Sequence, residues 1–378
     1  MNSDNAHTRS SKKTFWDFTK FAYQSSASSV NCSAADFELL NSTLTTEKIV
    51  QPVVGSEIKV SPHAPVPLTP RYSHCEPFPK IMNWQLDRPT IIQGKISRSF
   101  KPYLGQMLAS GAKVVAAVCP GAAKISSSIP QFDLVADVVD TLGKISTSVI
   151  CVSAEQVLDA GLEAIASGVE QLVIITPDVL PLDMIRLLRV ARTNRVLVLG
   201  SGSAGLICPR GLSLGVLRPD YFRPGTVGVI GYDRALIYET AWVLDRSQMG
   251  QSWTVSLGKD RITGSNVEQW LALLQRDRLT EAIVLIQSAQ DIDSAALEFV
   301  ARSVTKPVVC YLAGSQAPLD RVYRKGIDIL SNHLSQSIPA SNCGKTAIAN
   351  IQQLGLSLAT QPSQIPHLIQ QHSQILVS

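Results

Sequence analysis

From Pro89 onward, apolar runs of strand length alternate with amphipathic stretches of helix length. Thr90 to Gln93, Ala112 to Val118, Thr147 to Val152, Gln171 to Ile175 and Arg195 to Leu199 are the runs; Phe100 to Ser110, Gln156 to Ser167 and Leu182 to Thr193 lie between them. Near-continuous apolar strands separated by helices are what a parallel sheet covered on both faces requires, because each crossover lays a helix on the sheet. A proline-rich stretch from Cys208 to Pro224 interrupts the pattern and is expected to be irregular. The alternation then restarts. Strands are expected at Val227 to Ile230, Trp253 to Ser256, Ala282 to Ile286 and Pro307 to Tyr311, with helices at Ala235 to Leu244, Ser265 to Arg276 and Ala295 to Ser303. Lys345 to Leu354 reads as a further helix, and a last one lies near His367. The fold class is therefore α/β, with two doubly wound domains at 89–207 and 225–378 joined by a linker at 208–224.

Residues 1–88 differ from the rest. Ser/Thr-rich stretches such as Ser25 to Ser33, proline punctuation from Pro62 to Pro79 and little apolar periodicity predict a largely flexible extension. One island stands out within it: Thr14 to Asp17 fits a capping box, and Phe15, Phe18 and Ala22 share one helical face. That short aromatic helix either packs on the protein's own body or anchors a partner protein. A membrane surface suits it less, because its polar face carries few basic residues.

Composition narrows the class. Hydrophobic residues make up 45% and charged residues 17% of 378 positions, and no apolar run reaches the roughly eighteen residues of a membrane span. Lys and Arg exceed Asp and Glu by only four, 34 against 30, without the one-sided clustering that nucleic acid requires. The seven cysteines are scattered and form no C-x-x-C pair, so they are expected to be thiols in a reducing cytosol, with neither disulfides nor a metal site. The N-terminus lacks the apolar core of a signal peptide, and a cytoplasmic location follows as an expectation. Two apparent motifs fall away on context. Gly200 to Gly205 satisfies G-x-G-x-x-G, but no helix is expected after it. Gly344-Lys-Thr346 resembles the end of a P-loop without the strand before it, and reads as a helix start.

Several blocks point to a family. Gly250-Gln-Ser, Gly264-Ser-Asn266, Thr280 to Val284, Thr305 to Val309, Ala313-Gly314 with Ala317-Pro318, and Leu182-Asp-Met184 resemble the alpha subunit of succinyl-CoA synthetase, in the same order from about Pro89 to about His372. The resemblance implies a Rossmann-like coenzyme A-binding domain followed by a flavodoxin-like domain of the succinyl-CoA synthetase type. It also implies a histidine phosphorylated during turnover and a separate ATP-grasp beta subunit as partner.

The positions where that family does its chemistry are altered. Its glycine-rich turn, which lets backbone N–H groups approach phosphate, reads Gly94-Lys-Ile-Ser-Arg-Ser-Phe100 here. Ile96 and Phe100 are expected to obstruct that approach, while Lys95, Arg98 and Lys101 offer charge instead. Ile96, Ser97, Arg98 and Ser99, with Lys124 after Cys119-Pro-Gly121 and Thr176 in Ile175-Thr-Pro177, are the candidate coenzyme A contacts, the plain alternative being a strand-to-helix turn. The family's Ser-Arg-Ser-Gly at a helix N-terminus becomes Gly231-Tyr-Asp-Arg234. Asp233 is expected to cap the helix itself and to repel phosphate, with Arg234 offsetting part of its charge. Tyr238, a candidate substrate contact, and Glu239 remain in the family pattern. The family's acid that orients the phosphohistidine falls at Ser288, which cannot supply a charge. The histidine itself aligns either with Lys325 or, after an insertion, with His333, the candidate catalytic residue.

Three functions stay open at this stage. The first is a noncatalytic relative serving as a binding, regulatory or scaffold protein, with partners reached through the extension. The second is an active acyl-CoA ligase subunit with His333 as phosphate carrier and a beta subunit as partner. The third is a coenzyme A or acyl-CoA sensor without turnover.

Overall fold

The computed structural model describes residues 88–121, 129–260, 262–289, 292–315 and 343–375. The extension with its Thr14 to Ala22 segment, Lys124, Lys325 and His333 lie outside the described residues.

The first sheet has six parallel strands: β1 (Thr90–Gln93), β2 (Val114–Val118), β3 (Gln131–Phe132), β4 (Thr147–Ile150), β5 (Gln171–Ile174) and β6 (Leu197–Leu199), in the order β3-β2-β1-β4-β5-β6. Helix α1 (Lys101–Ala109) returns the chain from β1 to β2 on one side. Helices α2 (Val135–Leu142), α3 (Val157–Ala166) and α4 (Pro181–Thr193) share one apolar core, through Val135 and Val138, Val157 and Ala164, and Met184 and Leu187. Strand order reverses between β1 and β4, so their C-terminal ends splay their connections to opposite faces and open a crevice.

The second sheet has seven strands, in the order β13-β12-β11-β9-β10-β7-β8, with β7 (Gly205–Cys208) and β8 (Leu212–Gly215) at one edge. Its parallel part comprises β9 (Pro224–Gly231), β10 (Gln251–Ser256), β11 (Ala282–Ser288), β12 (Val308–Ala313) and β13 (Ser357–Ala359). Numbered from β9, that order is 2-1-3-4-5, the flavodoxin-like arrangement with its reversal between β9 and β11. Helices α5 (Arg234–Arg246), α6 (Val267–Arg276), α7 (Ser294–Ser303), α8 (Cys343–Gln353) and α9 (Ile365–Ile375) follow in the second half of the chain, and short 3-10 turns lie at Ala154–Gln156, Pro219–Tyr221 and Pro362–Gln364.

The hairpin β7–β8, helix α2, the short strands β3 and β13 and the start of α6 differ from the sequence expectation. The stretch expected to be irregular holds part of an antiparallel hairpin, β7 (Gly205–Cys208) and β8 (Leu212–Gly215), which extends the second sheet beyond β10. Gly205 makes this possible: its φ is +97°, and a Cβ there would lie 1.9 Å from the Leu214 carbonyl oxygen. As expected, no helix follows the Gly200 to Gly205 turn, because the chain enters β7 directly. Helix α2 was not anticipated. It packs with Val135 and Val138 fully buried, and Glu163 of α3 accepts the Val135 N–H at 2.8 Å, acting as its distant cap. Helix α6 starts at Val267 rather than Ser265 because Asn266 and Gln269 form a reciprocal capping box. The segment at Gly344 is the start of α8, as expected.

Candidate functional site

The first candidate site is the turn after β1, at the reversal point of the first sheet. Gly94 adopts φ +129°, and a Cβ there would meet the Cys151 carbonyl oxygen at 2.7 Å, so only glycine lets β1 end against β4. Its amide donates to Val118 O (2.9 Å) while Cys151 N donates to Gln93 O (2.8 Å), which ties the strand ends together. The chain then curls tightly. Ser97 N donates to Lys95 O (2.7 Å), and Phe100 N and Lys101 N both donate to Ser97 O (3.0 Å). Ser97 Oγ accepts from Phe100 N (3.2 Å) and bonds Ser99 Oγ (2.8 Å). The amides of Lys95, Ile96, Arg98 and Ser99 find no acceptor among the described residues.

This turn and the start of α1 open on a cavity of about 210 Å³ lined by Lys95, Ser97, Ser99, Phe100, Tyr103 and Cys151. Ile96 does not obstruct it, contrary to expectation: the side chain is buried in the core below. Phe100 does form part of the wall. Arg98 is exposed on the turn. Thr176 lies at the end of β5, buried, with its hydroxyl donating to Val152 O at 2.6 Å, so that group holds the turn together. Burial, with the Cys119 thiol nearby, pushes the Cys151 thiol up to about 12, which keeps it protonated.

The second candidate site is the N-terminus of α5, at the reversal point of the second sheet. Asp233 is its N-cap: Oδ1 accepts from Ala235 N (2.7 Å) and Leu236 N (3.3 Å). Its other carboxylate oxygen pairs with Lys259 Nζ. Burial raises the Asp233 pKa, but the Lys259 hydrogen bond and charge and the two helix amides outweigh it, leaving the carboxyl below its usual range. The expected cap is thus present, whereas Lys259, and not Arg234, forms the ion pair. Two helix N–H donors and one ammonium, the groups that would hold a phosphate there, are engaged by the chain's own carboxylate.

Tyr238 lies on the same helix, packed against Tyr221 and Phe222 at ring distances of 5.1 and 5.8 Å. Its hydroxyl accepts from Arg218 N at 2.9 Å. Burial raises the Tyr238 pKa, and the charges of Arg234 and Arg218 offset part of that while Tyr103 adds to it. The electrostatic effect of Tyr103 on Tyr238 is one link between the wall of the α1 cavity and α5. A further link is the loop after β10: Lys259 reaches Asp233, and the adjacent Asp260 Oδ1 accepts from Asp178 N (3.1 Å) beside Thr176. Ser288, at the end of β11, is exposed.

Sequence reasoning did not find Tyr103, Cys151, Lys259 or Asp260. Lys259 carries no local signal for its role. It reaches Asp233 because β9 and β10 are parallel neighbours whose C-terminal ends are joined by the Leu257 N to Gly231 O bond (2.9 Å). Among the described residues, no group of three or more His, Cys, Asp or Glu could hold a metal. No helix among them is long and apolar enough to cross a membrane.

Residues 89–178 match the CoA-binding domain family. The chain is 33% identical over 230 residues to succinate–CoA ligase [ADP-forming] subunit alpha 2 of Archaeoglobus fulgidus, covering 60% of this chain and 79% of that one. It is 31% identical over 281 residues to malate–CoA ligase subunit alpha of Methylorubrum extorquens, covering 72% and 92%. Among solved structures, ATP citrate lyase from Methanothrix soehngenii, in complex with citrate and coenzyme A, superposes with a TM-score of 0.63 at 14% identity. That likeness extends over 77% of this chain but spans only half of the lyase chain, and speaks for the fold alone.

Proposed function

This chain belongs to the alpha-subunit family of succinate–CoA and malate–CoA ligases, and from that premise we propose that it is a noncatalytic member, a binding or regulatory protein on a ligase scaffold. The observation that carries this reading is Asp233. A carboxylate that caps α5 through Ala235 and Leu236 and pairs with Lys259 occupies the donors a phosphoryl group would need. An incoming phosphate would have to displace it and then sit beside a like charge. Loss of one preorganised donor costs roughly a hundredfold or more in rate, so occupation of several together disfavours an active ligase.

The test is phosphoryl transfer itself. The full chain, with any beta-type subunit that copurifies, is incubated with ATP, Mg²⁺, coenzyme A and succinate. No acid-labile phosphohistidine is expected. Incorporation that disappears in His333→Ala would refute the noncatalytic reading.

A second reading, retained coenzyme A or acyl-CoA binding without turnover, is favoured by the α1 cavity. Unpaired amides, the Ser97 and Ser99 hydroxyls, and the exposed Lys95 and Arg98 suit an anionic phosphate group. At about 210 Å³ the cavity is smaller than a site that would enclose a whole cofactor, which ordinarily takes roughly 300 Å³ or more; it therefore fits the phosphate-bearing part, with the remainder lying along the surface. Lys95, Ser97, Arg98 and Ser99 would hold those phosphates. Calorimetry with coenzyme A tests this: micromolar affinity that weakens in Arg98→Ala supports it, and no heat of binding overturns it. Alpha subunits of succinate–CoA ligase work with a beta subunit. A beta-type partner of the ATP-grasp kind, and further partners reached through residues 1–88, are proposed here on the same family grounds. A pull-down in which deleting residues 1–88 leaves every partner in place would reject the role of the extension.

A further inference from the structure

The layer formed by α2, α3 and α4 carries an unusual outer surface. Of the eight large hydrophobic side chains exposed among the described residues, five lie at this layer: Leu134 and Leu142 at the ends of α2, and Leu180, Leu182 and Ile185 at the start of α4. Leu134 is 50%, Leu182 58% and Ile185 42% exposed. Scattered exposed leucines are ordinary, but a concentration on one face marks an interface.

Charge on this layer is divided. On α2, the exposed residues between the two leucines include Asp137 and Asp140. Along α4, Leu182 and Ile185 are followed on the same helical face by exposed Arg186 and Arg189, Arg186 lying 3.7 Å from its own neighbour Asp183. Between them α3 offers little bulk outward, its exposed positions being Asp159 and Ala166. The order across the face is α2, α3, α4. Glu163 ties α3 to α2, and Gly161 of α3 lies against Leu187 of α4, where a Cβ would come within 2.7 Å.

We propose that a second copy of this chain docks on this layer, about a twofold axis running along α3, so that the acidic α2 of each copy lies on the basic α4 of the other. The three helices run in the same direction, as return helices of a parallel sheet must, and a twofold axis along α3 preserves that direction. Leu134 at the start of α2 then meets Leu182 at the start of the other copy's α4. One turn further on, Asp137 and Asp140 meet Arg186 and Arg189. The apolar starts of the helices and the charged turns after them thus match in register, with Leu142 at the far end of α2 lying beyond the charged turn, and such matching is what self-complementarity of an isologous interface demands. Helices spaced by about 8–10 Å and some 15 Å long present roughly 400 Å² in projection. That falls short of the ~800 Å² per partner of a standard complex, so a weak, salt-sensitive dimer is expected.

Sedimentation velocity on the full chain, purified alone, tests this by charge exchange. The wild type should dimerise with increasing concentration, less so at high salt. Arg186→Glu with Arg189→Glu, and separately Asp137→Lys with Asp140→Lys, should each weaken self-association roughly tenfold or more, circular dichroism establishing that both variants are folded. Mixing the two variants should restore a dimer, because both halves of the mixed interface are complementary, one with the native charges and one with the charges reversed. A wild type that stays monomeric, a dimer insensitive to both reversals, or a mixture that stays monomeric would each overturn the proposal.

Discussion

Replacement of Asp233 by alanine isolates the feature on which the functional reading turns. The variant loses an N-cap acceptor for Ala235 and Leu236 and a partner for Lys259. An N-cap carboxylate is typically worth about 1 kcal/mol, at most about 2. The ion pair is partly exposed, 32% for Asp233 and 52% for Lys259, so it adds only about 0.2–1 kcal/mol. A loss of roughly 1.5 kcal/mol follows, or about 3–6 °C in unfolding midpoint for a unit of this size. Asp233→Asn keeps a cap acceptor and should lose only the smaller, ionic part. The pH dependence has a definite sign. The folded carboxyl lies below its usual value, so the part of its contribution that depends on ionisation is complete above the unfolded pKa near 3.9 and disappears as pH falls through the lower folded value. Denaturation of wild type and Asp233→Ala, followed by circular dichroism, should therefore differ most at neutral pH, and the difference should shrink in acid to the part that a neutral carboxyl cap retains. An alanine variant as stable as wild type at pH 7, or a difference that persists unchanged well below pH 4, would refute the reasoning.

Other outcomes follow from the same geometry. Asp233→Gly frees the α5 donors while leaving Lys259 in place, so inorganic phosphate should raise its melting temperature more than that of wild type; equal shifts would count against self-occupation of the site. Arg98→Ala should weaken coenzyme A binding about tenfold by calorimetry without altering the melting temperature, since Arg98 is exposed on the turn. Gly205→Ala forces a Cβ to within 1.9 Å of Leu214 O at φ +97°, and should cost about 3 kcal/mol or more in denaturant titration. Burial pushes the Cys310 thiol up to about 12 and does the same to Cys151 with the help of Cys119. Mass spectrometry should find both unmodified after iodoacetamide treatment of the folded chain at pH 8, and modified once it is unfolded.

Much of the scaffold was legible from periodicity, because strands buried on both faces leave unbroken apolar runs such as Thr147 to Ile150 and Ala282 to Ile286. The hairpin β7–β8 was less so. Its strands are only four residues each and are punctuated by glycines whose positive φ is needed for close backbone contact. Helix α2 shows the apolar spacing of a helix at Val135, Val138, Val139 and Leu142, but it is only eight residues long and its cap comes from Glu163, far along the chain. At the candidate site, Asp233 could be read as a cap from its position before a helical pattern. Its counterion could not, since Lys259 joins it only through the pairing of β9 with β10. Likewise, that Ile96 turns inward while Phe100 walls the cavity depends on how the turn folds over the core, which residue types alone do not encode.

The noncatalytic reading is tested most directly by phosphohistidine formation in the intact protein. With ATP, Mg²⁺, coenzyme A, succinate and any copurifying beta-type subunit present, the account predicts no acid-labile phosphate on the chain, in wild type and in His333→Ala alike. Labelling of the wild type that vanishes in His333→Ala would contradict it.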